Sequence, residues 1–364
     1  MDRDFHFGAT YAAAYAVFGD VYDAVIIARA AQYVDEFSGD PYNEVRKAWT
    51  SRNKGIAQTV QTTAAMVLHN ASNYTGVDRW TAHIWPVFHF LPAITLPSDM
   101  LAVTVKDDDE RALLSLLCAP YSPMANALIE ETRRVWSKVK NTDSQNEKYE
   151  KYQAKRQDYL IRIGITMHVL ADTFAHANFF GLPCKNINEV SKVREDGWPT
   201  LYSYAPAESA EGYGYMGHGR IGHLPDEAWR HYTYQPQWSS HLIERNNPVI
   251  YTDAFFYLKN VLAYIDGQRD TFPRSQTEIS CTPDERREME AFFRDGPKSV
   301  EGQEKAWITR NSSGTVTMRY KTPDFKSDKD FMMSFGRQAW KHQDLVFSNC
   351  ELLRDIMASP RVTV

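Results

Sequence analysis

Four cysteines, Cys118, Cys184, Cys281 and Cys350, lie far apart in the 364 residues and form no CxxC pair. That spacing excludes a zinc ribbon and a dithiol redox centre, and the four read as ordinary buried or partly buried thiols. An excess of one charge is also lacking: 41 Lys and Arg stand against 46 Asp and Glu, interspersed, for a net charge of -5. This argues against a broad nucleic-acid-binding surface and leaves room only for a local basic groove. No window approaches the roughly 20 apolar residues needed to cross a bilayer. The start, Met-Asp-Arg-Asp-Phe-His, has no basic stretch followed by an apolar run, so no Sec signal peptide is read there. Cytoplasmic synthesis is expected, with export by a signal-independent route left open; without a secretory signal, the sequons at Asn73 and Asn311 carry no weight.

What is present is apolar mass. Hydrophobic residues make up 43% of the chain and aromatics 13%, enough for one large core without disulfides. A single mainly helical, all-α domain over residues 1 to 364 is expected. Residues 9–18, rich in alanine and aromatics, stop at Gly19, and Asp20 is placed to cap a second helix over VYDAVIIARAAQYVDE. Ala24, Ile27, Ala28 and Ala31 share a face of that helix and permit close approach to a neighbour. Helical periodicity recurs over 56–69, 109–118, 122–139, 146–175, 252–266 and 329–357, the last packing back on the domain. The charged run EKYEKYQAKRQ reads as a solvated face. Pro86, Pro92 and Pro97 predict loop or short turns over 78–104. Residues 181–222, rich in Gly, Pro, Ser and Tyr, predict an extended ordered loop. The polar stretch 268–327, with one short helix (PDERREMEAFF) and one alternating segment (GTVTMRYK), reads as an insertion.

Chemistry concentrates in His168-Val-Leu-Ala-Asp172-Thr-Phe-Ala-His176. On a helix, residues four apart differ by about 40° around the axis, so His168, Asp172 and His176 project from one side over two turns. Imidazoles and a carboxylate so spaced can ligate one or two borderline ions such as zinc. Their neighbours Ile163, Ile165, Met167, Val169, Leu170, Phe174 and Phe179 are apolar. Buried there, the polar trio requires a metal or a dense hydrogen-bond network to offset its desolvation. His69, His83, His231, His241 and His342 have no such pattern and read as ordinary surface or core histidines.

The run His168-x-x-x-Asp172 followed by His176-Ala-Asn-Phe resembles the central helix of the zinc-dependent bacterial phospholipases C and fungal zinc single-strand nucleases. His89-Phe-Leu-Pro is similar to the stretch that delivers another ligand in those phospholipases, and Asp35, ending AAQYVDE, stands where the superfamily places an early carboxylate. The resemblance also implies a later His with a carboxylate. MGHGRIGHLPDEAW supplies His218, His223, Asp226 and Glu227; His223 and Glu227 have the helical spacing, but Pro225 favours a turn, leaving His218, His223 and Asp226 as the pool. Relatives begin with a tryptophan whose amino group and carbonyl bind metal; here His6, with Asp4, is the candidate replacement. The start and the Tyr-Val-Asp helix end also resemble an uncharacterised bacterial family associated with this superfamily, over the chain to about residue 265.

The resemblance implies a phospholipase C-like phosphoester hydrolase holding two or three zinc or similar divalent ions, its substrate a phospholipid or nucleic acid. Asp35 and Asp172 are the candidate catalytic carboxylates, bridging ions or accepting a proton. Tyr202, Tyr204, Tyr213, Tyr215 and Trp229 are candidates to line a substrate groove. A nuclease calls for a basic groove, built from Arg29, Arg79, Arg162, Arg220 or Arg230, whereas a lipase calls for an apolar rim. The altered N-terminus, and a spacing from Asp172 to His176 two residues shorter than in the phospholipases, leave a non-catalytic metalloprotein as the alternative from another class.

Overall fold

A computed structural model of the chain describes residues 1–37, 62–63, 79–96, 108–140, 149–182, 184–196, 216–311 and 329–358. A π-helical turn, Asp4–Ala9, runs into α1 (Thr10–Phe18), followed by α2 (Val21–Glu36), α3 (Arg79–Phe88), α4 (Asp108–Leu114), α5 (Pro123–Lys140), α6 (Tyr149–Ala175) and the short α7 (Lys185–Asn188). Strands β1 (Val190–Glu195), β2 (His231–Pro236) and β3 (Ile243–Asn246) come next, then α8 (Asn247–Ile265), α9 (Pro283–Asp295), α10 (Val300–Asn311), α11 (Lys329–Asn349) and α12 (Glu351–Ala358). The chain is mainly helical, as its periodicity implies.

The corner between α1 and α2 forms as expected. Gly19 adopts φ +68°, a left-handed cap that glycine tolerates, and Asp20 accepts a hydrogen bond from the Asp23 amide at 3.0 Å. α6 is the axis of the molecule, with α2, α5, α8 and α11 packed around it. Its second half explains why: apart from Arg162, His168, Asp172 and two threonines, Leu160 to Ala175 is apolar and buried on every side, and a helix so largely apolar must be enclosed. The small face of α2 lies flush on Gly164 of α6; a Cβ there would sit 2.3 Å from the Ile27 carbonyl oxygen and 2.6 Å from the Ala30 Cβ.

Three expectations are corrected. Residues 79–88 are helical rather than loop: Pro86 lies inside the helix at the cost of one backbone bond, and Gly181 leaves room for its ring, since a Cβ at 181 would meet the Pro86 nitrogen at 2.8 Å. The stretch 181–222 is not all loop, since it contains α7 and β1. β1 pairs antiparallel with β2, and β2 with β3, in the order β1-β2-β3. A register shift between Ser191 and Arg194 breaks the alternation of β1, hiding the strand from a period-two reading. The helix ending the chain is two, interrupted at Cys350.

In the stretch that reads as an insertion, α9 begins with a capping box formed by Thr282 and Glu285, and Phe293 and Trp307 are fully buried in the main core. The 56–69 helix, apart from Thr62 and Thr63, and GTVTMRYK lie outside the described residues. None of the described helices is long and apolar enough to cross a membrane.

Candidate metal centre

Asp172 is the hub of the site. It is 1% exposed, and its Oδ2 lies 3.2 Å from both His89 Nδ1 and His168 Nε2 and 3.7 Å from His176 Nδ1. Its Oδ1 meets His6 Nε2 at 3.1 Å and the Met1 amino nitrogen at 2.6 Å. The π-helical turn delivers His6, whose ring stacks on His168 with centroids 3.8 Å apart. Asp35, a third exposed at the end of α2, places Oδ1 3.8 Å from His89 and His168 and Oδ2 4.0 Å from His6.

A glycine-punctuated turn brings in the last pair. Gly217 and Gly222 have φ of +54° and +58°, and a Cβ on Gly217 would strike the Phe90 ring at 2.2 Å, so both positions favour glycine. Asp226 Oδ1 then lies 2.9 Å from His176 Nε2 and 3.1 Å from the Met1 nitrogen, and Oδ2 lies 3.4 Å from His218 Nε2.

Backbone carbonyls set three of the histidine tautomers. His89 donates Nε2–H to the Thr62 carbonyl at 2.9 Å, His176 donates Nδ1–H to the His89 carbonyl at 2.6 Å, and His218 donates Nδ1–H to the Gly222 carbonyl at 2.8 Å. The other nitrogen of each ring therefore faces Asp172 or Asp226, and the carbonyl contacts are the second-layer bonding typical of metal-binding imidazoles. His6, fully buried, has no hydrogen-bond partner at either ring nitrogen, and His168 has none at Nδ1. Burial of unpaired polar atoms is costly, and a cation removes part of that cost.

The ionisation states follow from this crowding. Burial alone would raise Asp172 and Asp226, yet both are held well below the usual carboxylate range: Asp172 by His176, the Met1 ammonium, His168 and His6, and Asp226 by that ammonium, His218 and His176. Burial pulls the Met1 amino group down, but Asp172, Asp226 and Asp35 outweigh it and carry it up to about 11. Burial, reinforced by His6, lowers His168 to about 4, and burial, with His176, lowers His218 to about 4; both are neutral, ligand-ready imidazoles at pH 7.

Three groups can each hold an ion: His6, His168 and Asp172; Asp35, His89 and His168; and His176, His218 and Asp226, with the ligand atoms of each group within 4.8 Å of one another. Bonds of about 2.0–2.2 Å in tetrahedral geometry separate neighbouring ligand atoms by roughly 3.4 Å, which matches the spacings here. The site opens into a cavity of about 480 Å³ whose apolar wall includes Met1, Trp85, Phe90 and Met216.

Comparison with known proteins adds the family. Residues 1–357 match the profile of a family of unknown function, DUF6765. The chain belongs to that family. No curated protein and no solved structure matches it.

Of the residues singled out in the sequence, His6, Asp35, His89, His168, Asp172, His176, His218 and Asp226 converge. His223 does not join the three groups: its side chain is 84% exposed on the cavity rim, its Nδ1 3.9 Å from Asp226. Asp4 is buried outside those groups. Trp229 is half-buried, stands under the Arg230 guanidinium and is not part of the cavity wall. Tyr202, Tyr204, Tyr213 and Tyr215 lie outside the described residues. Sequence reasoning missed the Met1 amino group, because a backbone amine leaves no residue-type signal. It also missed Arg245 of β3, which donates to the carbonyls of Phe174 and Ala175 at 2.5 and 3.0 Å and so caps α6 beside His176.

Proposed function

We propose that the chain is a metal-dependent phosphoester hydrolase of the phospholipase C type, with two or three zinc or similar divalent ions. The observation that carries this reading is the overlap of the ligand groups: His168 belongs to two of them, and Asp172 reaches toward the third through the Met1 amine and His176. Such ions, when bound, supply Lewis-acid charge to phosphate oxygens and acidify water. The chain's own residues do the rest. Asp172, buried among four histidines, would hold an ion together with His6 and His168; His89, His176 and His218 each donate one ring N–H to a backbone carbonyl. Asp35 is the carboxylate of this cluster that reaches furthest into solvent, which suits it to accept a proton.

Two alternatives are less well supported. Of the arginines proposed for a basic groove, Arg162 is buried and donates to the Gln338 carbonyl, Arg220 pairs with Glu189, Arg230 with Glu195 and Glu227, and Arg29 lies over Phe331. The Arg79 side chain is not described. None of the four described arginines lines the cavity, whose wall is apolar on one side, against the needs of a nuclease. A purely structural ion is normally enclosed by its ligands, whereas this cluster faces an open cavity.

Elemental analysis of chelator-stripped, reconstituted protein beside a His168→Ala, Asp172→Ala double variant tests the reading. Two or three equivalents of metal, lost in the variant, with hydrolysis of phosphatidylcholine or bis-nitrophenyl phosphate, are expected. Failure to take up metal after reconstitution would sink it.

A further inference from the structure

The segment that carries Met1 and His6 is held from outside by α10 at two points. Gly8 lies so close to Trp307 that a Cβ would meet its indole at 2.7 Å, and one turn earlier on α10 the Glu304 carboxylate lies 3.3 Å from Nε of Arg3. Arg3 lines the cavity and is the one Lys or Arg in its described wall. The wall also carries Asp2, Asp35, Asp172 and Asp226, yet the ion pair of Arg3 goes to none of them: it goes to Glu304, outside the cavity wall. Glu304 stands as an ion-pair partner beside Nε, without a hydrogen bond to it, and the terminal amino groups of the guanidinium, on a side chain 35% exposed, have no partner among the described residues.

We propose that Arg3 is the phosphate-binding residue of this site, its terminal amino groups pairing with two oxygens of the substrate's phosphate while Glu304 positions it. The inference rests on the phosphoester reading above and deepens it. A guanidinium fork matches one phosphate in a bidentate pair. A single fork beside an apolar wall selects a compact ester with one phosphate group, not a polyanionic strand. It also gives α10 a role: it builds the cationic lip of the cavity by holding Arg3 and Gly8 in place.

The test is calorimetric titration of inorganic phosphate into metal-loaded wild type, Arg3→Met, Arg3→Lys and Glu304→Gln, with metal content of each measured by elemental analysis. All four are expected to keep the wild-type metal content. Arg3→Met is expected to bind phosphate roughly tenfold to a hundredfold more weakly, as for loss of a charged hydrogen-bonding partner, with Arg3→Lys and Glu304→Gln between it and wild type. Unchanged phosphate affinity in Arg3→Met with metals retained would overturn the role of Arg3 and leave the hydrolase reading intact. Loss of metal in Arg3→Met would make Arg3 a support of the ion cluster and overturn the proposal. Metal-loaded wild type that binds no phosphate would overturn both readings.

Discussion

Gly164→Ala probes how the helix pair α2 and α6 sets the metal centre. Gly164 faces Ile27 and Ala31, while His168, one turn on, faces Asp35, one turn beyond Ala31; the two helices therefore run side by side in the same direction. An alanine Cβ would lie 2.3 Å from the Ile27 oxygen, 2.6 Å from the Ala30 Cβ and 3.1 Å from the Ala31 nitrogen. Carbon atoms in ordinary contact stand about 3.5–4.0 Å apart, so α2 would have to retreat by roughly 1 Å. Overpacking against a backbone costs about 2–3 kcal/mol, and the better helix propensity of alanine returns about 1 kcal/mol, for a net loss of about 1–2 kcal/mol. The same retreat moves Asp35 away from His89 and His168, now 3.8 Å away. Displaced ligands weaken metal sites by about 10–100-fold. Thermal melting and competition with a chelator measure the two effects. A destabilised variant that keeps wild-type metal affinity would refute the coupling, and one unchanged in both would refute the close packing itself.

Arg245→Met is expected to leave the Phe174 and Ala175 carbonyls unpaired in a buried setting; a loss of about 2–4 kcal/mol in chemical denaturation, with weaker metal retention through His176, is the expected result. His342 is buried on α11 and donates Nε2–H to the Val87 carbonyl at 3.0 Å. Burial, with Arg162 nearby, lowers it to about 3. Between about pH 6.5 and 3 only the unfolded chain protonates this residue, so its contribution to stability is full above that window and falls by about 1.4 kcal/mol per pH unit as the pH drops through it. His342→Gln, which can keep the bond to Val87, is expected to flatten that slope; an identical pH dependence in denaturation midpoints would show that His342 does not contribute it.

The chain's own pattern carried the helices and the heart of the site. Gly19 and Asp20 are local signals, and His168, Asp172 and His176 share a face because helical geometry leaves no choice. Asp35 and His89 were legible only through resemblance to the zinc phospholipases, since each alone is an ordinary polar residue near a helix end. Local rules misread residues 79–88 and β1, because the position of Pro86 and the register shift after Ser191 are decided by neighbours distant in the chain. His6, Asp35, His89, His168 and Asp172 span most of the first half of the chain and become one cluster only when α2, α3 and the N-terminal turn close around α6. Which ring nitrogen each of three imidazoles turns to the carboxylates depends on the carbonyls of Thr62, His89 and Gly222, and the placing of Arg3 in the cavity wall on a glutamate some 300 residues away, Glu304. Residue type and periodicity determine which groups are available for chemistry; packing determines which of them meet, because hydrogen bonds and ligand geometry depend on ångström distances that a linear pattern does not contain.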